Sequence, residues 1–137
     1  MKDKIKITGT DYVRLSALIS TLKKSRNGEP DNLTVLSEEI VRAERVDPQQ
    51  ISPEVVTMNS TVEIVDLDTN KLMTVKLVYP KDADFKKGNV SILSLLGSAL
   101  LGYKVGSKVS YKVPMGKKEM VIKNIVYQPE SNGEYDV

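Results

Sequence analysis

The sequence predicts an α+β fold: an N-terminal antiparallel helical hairpin, in effect a short coiled coil, followed by an antiparallel sheet that carries one short helix. Three observations predict it. Apolar residues recur at spacings of three and four as far as Ala43. From Val55 the period changes to two, and a nearly uncharged run, Ile92 to Gly106, interrupts the alternating part.

The first helix follows a short extended start at Ile5 and Ile7. Thr8 and Thr10 are candidate N-caps, and Asp11 suits a first turn, whose free amides favour a carboxylate. Tyr12, Leu15, Ile19 and Leu22, with Leu18 beside them, then form one apolar stripe on a helix over about 11–26. Asn27-Gly28-Glu29-Pro30 stops it, because Gly favours the C-terminal cap and Pro restricts the residue before it. Asp31 or Asn32 can cap a second helix, in which Leu33, Leu36, Ile40 and Ala43 repeat the spacing. Two such helices joined by a short loop fold back on each other, each roughly 24 Å long at a rise of about 1.5 Å per residue. Asp47-Pro48 and Ser52-Pro53 make a stiff connector. The expected organisation is a hairpin over 1–47, a linker over 48–54 and a second domain over 55–137.

In that second part Thr61 to Val65 alternates, Asp66 to Asn70 makes a turn, and Leu72 to Tyr79 alternates again, which gives a hairpin. Val109–Val113 and Met120–Tyr127 form a second pair around Pro114-Met115-Gly116-Lys117. Four or five antiparallel strands are expected, with the run at 92–106 as a short helix between the two hairpins.

Composition excludes several chemistries. The 137 residues contain no Cys and no His, so thiol catalysis, disulfides, the commonest general base and the commonest zinc ligand are all absent. The formal charge of +2 gives no strong pull toward nucleic acid or acidic membrane. No apolar run approaches about 18 residues, so a cytoplasmic protein with no membrane contact is expected. Asp66-x-Asp68-x-Asn70 copies the start of a calcium-binding loop, but Lys71 and Leu77 stand where the Gly and Glu belong, so a turn is the better reading. Gly97 and Gly102 have the spacing of a phosphate-binding loop without its Lys-Ser/Thr. Lys86-Lys87 and Lys117-Lys118, placed at turns, offer a weak contact to nucleic acid, DNA included; solubility and protection of strand edges is the plainer reading. No catalytic residue, metal or cofactor is expected.

A collinear series of motifs then carries a resemblance. Val56-Thr57-Met58-Asn59-Ser60-Thr61-Val62, Leu77-Val78-Tyr79-Pro80, Ser98-Ala99-Leu100-Leu101-Gly102, Pro114-x-Gly116 and Val126-Tyr127-Gln128-Pro129-Glu130 occur in one order. The series resembles the C-terminal domain of the GreA/GreB transcription elongation factor family. The Val-Thr-Met-Asn-Ser and Tyr-Gln-Pro-Glu signatures, with Gly133 and Tyr135, are most similar to its Rnk branch, the regulators of nucleoside diphosphate kinase. The resemblance covers about 54–137 in residues and the helical part in layout.

The resemblance implies an FKBP-like domain behind the hairpin and binding to RNA polymerase near its secondary channel. In Gre factors the C-terminal domain docks on the polymerase rim, and acids at the hairpin tip help hold a catalytic magnesium that activates water. The hairpin here is markedly shorter, so its tip acids, Glu29 and Asp31, should fall short of the polymerase active site. Ser94, Leu95, Leu96 and Gly97 correspond to the docking segment, with Leu95 standing where Gre factors usually carry Pro. The implied function is a monomeric, non-enzymatic regulator that binds RNA polymerase and modulates elongation. The alternatives are a factor that stimulates transcript cleavage through Glu29 and Asp31, and a peptidyl-prolyl isomerase suggested by the FKBP-like architecture alone, for which aromatic residues are few.

Overall fold

Thr8 starts the first helix. Its Oγ1 accepts the Asp11 backbone N–H at 3.0 Å, satisfying one of the amides that a helix start leaves open. The computed structural model describes residues 5–25, 31–114 and 116–133. Helix α1 runs Gly9–Ser25 and α2 Asp31–Arg42. The predicted stripe is the buried one: Leu15, Ile19, Leu36 and Ile40 lie in the core, with Tyr12 and Leu18 packed on it. Val13 and Val41, off the stripe, are exposed. The connection through Asn27, Gly28, Glu29 and Pro30 lies outside the described residues.

The base of the hairpin departs from expectation. The second helix ends at Arg42 instead of continuing past Ala43, and the chain enters strand β2 (Glu44–Val46), which pairs in parallel with β1 (Lys6–Thr8). Glu44 N–H donates to the Ile5 carbonyl at 2.9 Å, and the Arg45 guanidinium lies 4.5 Å from the centre of the Tyr12 ring. A helix-period reading misses β2, because its three residues are too few to establish a period of two.

Strands β3 (Thr61–Asp66), β4 (Lys71–Val78), β5 (Asn89–Ser91), β6 (Lys108–Val113) and β7 (Gly116–Tyr127) form one sheet in the order β5-β4-β3-β7-β6. The two predicted hairpins are present, with Val62, Ile64, Val75, Leu77 and Ile122 turned into the core. The expectation of an all-antiparallel sheet fails at β5, which runs parallel to β4. After Tyr79 the chain passes through 3-10 turns at Pro80–Asp82 and Phe85–Lys87 before it reaches β5, so it returns to the edge of β4 in the same direction. Lys117 and Lys118 also lie inside β7 and not in a turn. The reversal is tighter than expected because Val113 pairs directly with Gly116.

Helix α3 (Leu95–Leu100) closes the core between the sheet and the hairpin base, burying Leu100 and Leu101. Gly102 follows with φ of +82°, and its N–H donates to the Val56 carbonyl at 2.9 Å. A Cβ there would stand 2.6 Å from Ile5 Cβ, so glycine is required for the backbone and for the close approach of β1. Among the described residues no helix is long and apolar enough to cross a membrane.

Candidate functional site

Ser94 organises the turn that leads into α3. Its Oγ caps α3 by accepting the Gly97 N–H at 3.0 Å and donates to the Ser91 carbonyl at 2.7 Å. Ser91 Oγ accepts the Leu93 N–H at 3.0 Å. The two serines thus tie the entry to α3 into one rigid turn.

Leu95 projects from this turn with 41% of its surface exposed, while Leu96 is partly buried against the core. Gly97 departs from expectation. Counted with the segment that the resemblance makes a docking surface, it is buried, and a Cβ on it would collide with the Ser91 carbonyl oxygen. The close approach is to the protein's own backbone. Ser94, Leu95 and Leu96 form the outer surface and Gly97 its foundation.

A second constellation lies where the hairpin meets the sheet. Asp11 on α1 is only 2% exposed, and its Oδ2 accepts the Met58 backbone N–H at 3.1 Å. Met58 sits in the tight turn Thr57–Ser60. That turn is held by Ser60 N–H to the Thr57 carbonyl at 3.1 Å and by Thr57 N–H to Ser60 Oγ at 3.0 Å, with Asn59 in the left-handed region at φ 67°. Thr57 Oγ1 donates to Glu130 Oε1 at 2.7 Å. The Tyr79 hydroxyl, itself buried, faces the Asp11 carboxyl and the Arg14 guanidinium.

Burial pushes the Asp11 carboxyl up to about 7. Glu130 pushes the same way, against the opposing pull of the Met58 amide, Thr8 and Arg14. Burial likewise raises the Tyr79 hydroxyl, with the Asp11 charge adding to it. Gln128 is buried nearby and braces the connector by donating from Nε2 to the Ser52 and Val55 carbonyls at 2.8 and 2.7 Å.

Three of the five motifs that carried the resemblance, those at 56–62, 77–80 and 126–130, therefore contribute to one place. The sequence reading gave Asp11 only a helix-start role and left Tyr79 and Glu130 without one. The Thr8-x-x-Asp11 spacing of a capping box was the available signal for the first of these.

The predicted tip acids do not form a described site. Glu29 lies outside the described residues, and Asp31 is the first residue of α2. Among the described residues no group of three or more Asp and Glu side chains is placed to hold a metal ion. Of the lysine pairs, Lys118 is engaged by Asp66 Oδ2 at 2.7 Å and Asp68 Oδ2 at 3.8 Å.

Comparison with known proteins agrees with this arrangement of parts. Residues 51–127 match the family described as transcription elongation factor, GreA/GreB, C-term, and residues 3–46 match the Rnk N-terminus. The regulator of nucleoside diphosphate kinase of Escherichia coli (strain K12) is 33% identical over 101 residues, which is 73% of this chain and 74% of that protein. A transcription elongation factor GreA from Syntrophotalea carbinolica is 35% identical over 92 residues, 67% of this chain; the match spans only 58% of that protein's length. A solved prokaryotic transcription elongation factor GreA/GreB from Nitrosomonas europaea superposes with a TM-score of 0.75 at 38% identity, covering 92% of this chain and 100% of that one. With its body matched to the Gre C-terminal family and its hairpin to the Rnk N-terminus, the chain belongs to the GreA/GreB family, on the Rnk branch.

Proposed function

We propose that this protein binds RNA polymerase near its secondary channel as a monomer in the cytoplasm, modulating elongation and competing with Gre-type factors without itself stimulating cleavage. The observation that carries the reading is the family match across the sheet and α3 together with the capped, partly exposed segment Ser94-Leu95-Leu96. A rigid turn presenting one large apolar side chain is a suitable anchor, because little side-chain or loop entropy remains to be lost on docking. Leu95 keeps the apolar contact where Pro is usual, and the Ser94 cap supplies the fixed entry that Pro would otherwise give.

Hairpin length supports the reading without cleavage stimulation. Helices of 17 and 12 residues reach about 26 and 18 Å at about 1.5 Å per residue. A hairpin of that size has a short reach into a deep channel.

Pull-down of core polymerase, with GreB as competitor, tests the reading. Binding at micromolar concentration or tighter, displaced by GreB, is expected, and Leu95→Glu should abolish it without lowering the urea midpoint. Failure of the parent protein to bind at micromolar concentration overturns the reading. Release of short RNA from backtracked complexes, lost in Glu29→Ala plus Asp31→Ala, would establish the cleavage function in its place.

A further inference from the structure

The Asp11 carboxyl is the one buried acid that α1 inserts against the rest of the chain, among the described residues. Apart from Arg14, which shares α1 with it, the groups that face it come from other elements. Thr8 and Arg14 approach from the hairpin, the Met58 N–H from the Thr57–Ser60 turn, the Tyr79 hydroxyl from the end of β4, and Glu130 from the 3-10 turn after β7. The carboxylate whose charge acts on it, Glu130, is itself held by Thr57 Oγ1 at 2.7 Å.

An ionised Asp11 would therefore place a second negative charge beside a fixed acid with little water to screen it. A protonated Asp11 removes that repulsion, and its Oδ2 still accepts from Met58. Opening the junction lets water reach the carboxyl, so the ionised form favours the open arrangement.

We propose that Asp11, with Thr57, Tyr79 and Glu130, is a proton-operated latch that sets how firmly the helical hairpin is held to the sheet and α3. Within the polymerase-binding reading, on which this last consequence rests, the latch sets how the hairpin is presented beside the docking turn. Asp11 is a positioning residue in that role, acting through the hairpin it holds.

The linkage has a definite sign. A carboxyl near 7 when closed and at its ordinary value of 3.8 when exposed holds its proton more tightly in the closed form. Closure therefore weakens as pH rises through that window, and the open-to-closed ratio grows about tenfold between pH 6 and pH 8.

Native-state hydrogen exchange of the Met58 amide in the full chain tests this directly. Its protection factor, corrected for intrinsic exchange, should fall about tenfold from pH 6 to pH 8. It should be unchanged across that range in Asp11→Asn, and in Glu130→Gln the fall should shift to lower pH. A protection factor independent of pH in the parent protein overturns the latch, as does an Asp11→Asn variant that keeps the full fall. The parent measurement decides the matter even where a variant does not fold. Polymerase pull-down at the two pH values, taken as the ratio of parent to Asp11→Asn, forms a separate arm. A latch that behaves as expected with no polymerase bound at either pH refutes the binding reading alone.

Discussion

The two ends of the sheet are built from the same residue types and behave in opposite ways. At one end, where β3 passes into β4, Asp66 Oδ1 accepts the Asp68 and Thr69 N–H groups at 2.9 and 3.4 Å while Oδ2 takes the Lys118 ammonium; Asn70 closes the turn at φ 59°. Lys118 and these amides hold that carboxyl below its ordinary value. At the other end, Asn59 closes the Thr57–Ser60 turn, and Asp11 accepts an amide in the same manner. There the carboxyl is pushed up, because it is buried and the charge of Glu130 acts on it. An amide donor alone does not decide a carboxyl's charge. Burial and the sign of the neighbouring charge decide it, and both are set by segments remote in sequence.

The crowded end should be the brittle one, and Gly97 is where that difference is largest. Alanine there would drive a Cβ to 2.1 Å from the Ser91 carbonyl, backbone against backbone, with no side chain able to yield. Gly97→Ala should lose about 3 kcal/mol or more in urea denaturation. Gly9→Ala, at a helix start with nothing within 4 Å of the added methyl, should change stability by about 0.5 kcal/mol or less. Comparable losses at the two positions would refute the packing account of α3.

Thr57 tests the polar half of the same end. Thr57→Val keeps the shape but leaves Glu130 Oε1 without its donor and removes the hydroxyl contact to Ser60 Oγ, which keeps only the backbone N–H of residue 57. A loss of about 1–3 kcal/mol is expected. Thr69→Val in the exposed turn at the open end should stay within about 0.5 kcal/mol. Equal effects would mean that the crowded end gains nothing from its burial.

The same contrast explains what the sequence made legible. Local patterns were readable: the stripe of Leu15, Ile19, Leu36 and Ile40, the alternation of Val62 and Ile64, and the turn at Asp66–Asn70 each depend on neighbours a few residues apart. Features made by distant partners were not. Strand β2 forms because β1 lies beside it, β5 runs parallel because two 3-10 turns bring it back to β4, and Gly97 is buried because Ser91 passes beneath it. For the candidate site, the Ser94-Leu95-Leu96 surface was legible through motif order. The Asp11 junction was not, because its members span positions 8 to 130, and only Thr8-x-x-Asp11 forms a local pattern.

The smallest effect belongs to the open end and carries the sharpest distinction, because it has the opposite sign. Asp66 has a lowered value when folded, so its contribution is present above the ordinary value of 3.8 and lost as pH falls below it. Asp66→Asn keeps the acceptor for the Asp68 and Thr69 amides and removes only the charge on Lys118. Its urea midpoint should therefore lie slightly below the parent's at pH 7 and converge on it as pH falls below 3.8. Asp11 has a raised value, so its contribution becomes unfavourable between 3.8 and about 7. The parent should lose ground to Asp11→Asn as pH rises through that window and hold a constant difference above it. Midpoints at pH 3, 5 and 8 separate the two windows. A parent protein that gains on both variants as pH rises would mean that Asp11, like Asp66, is held as an anion by its neighbours, and the contrast between the two ends would be lost.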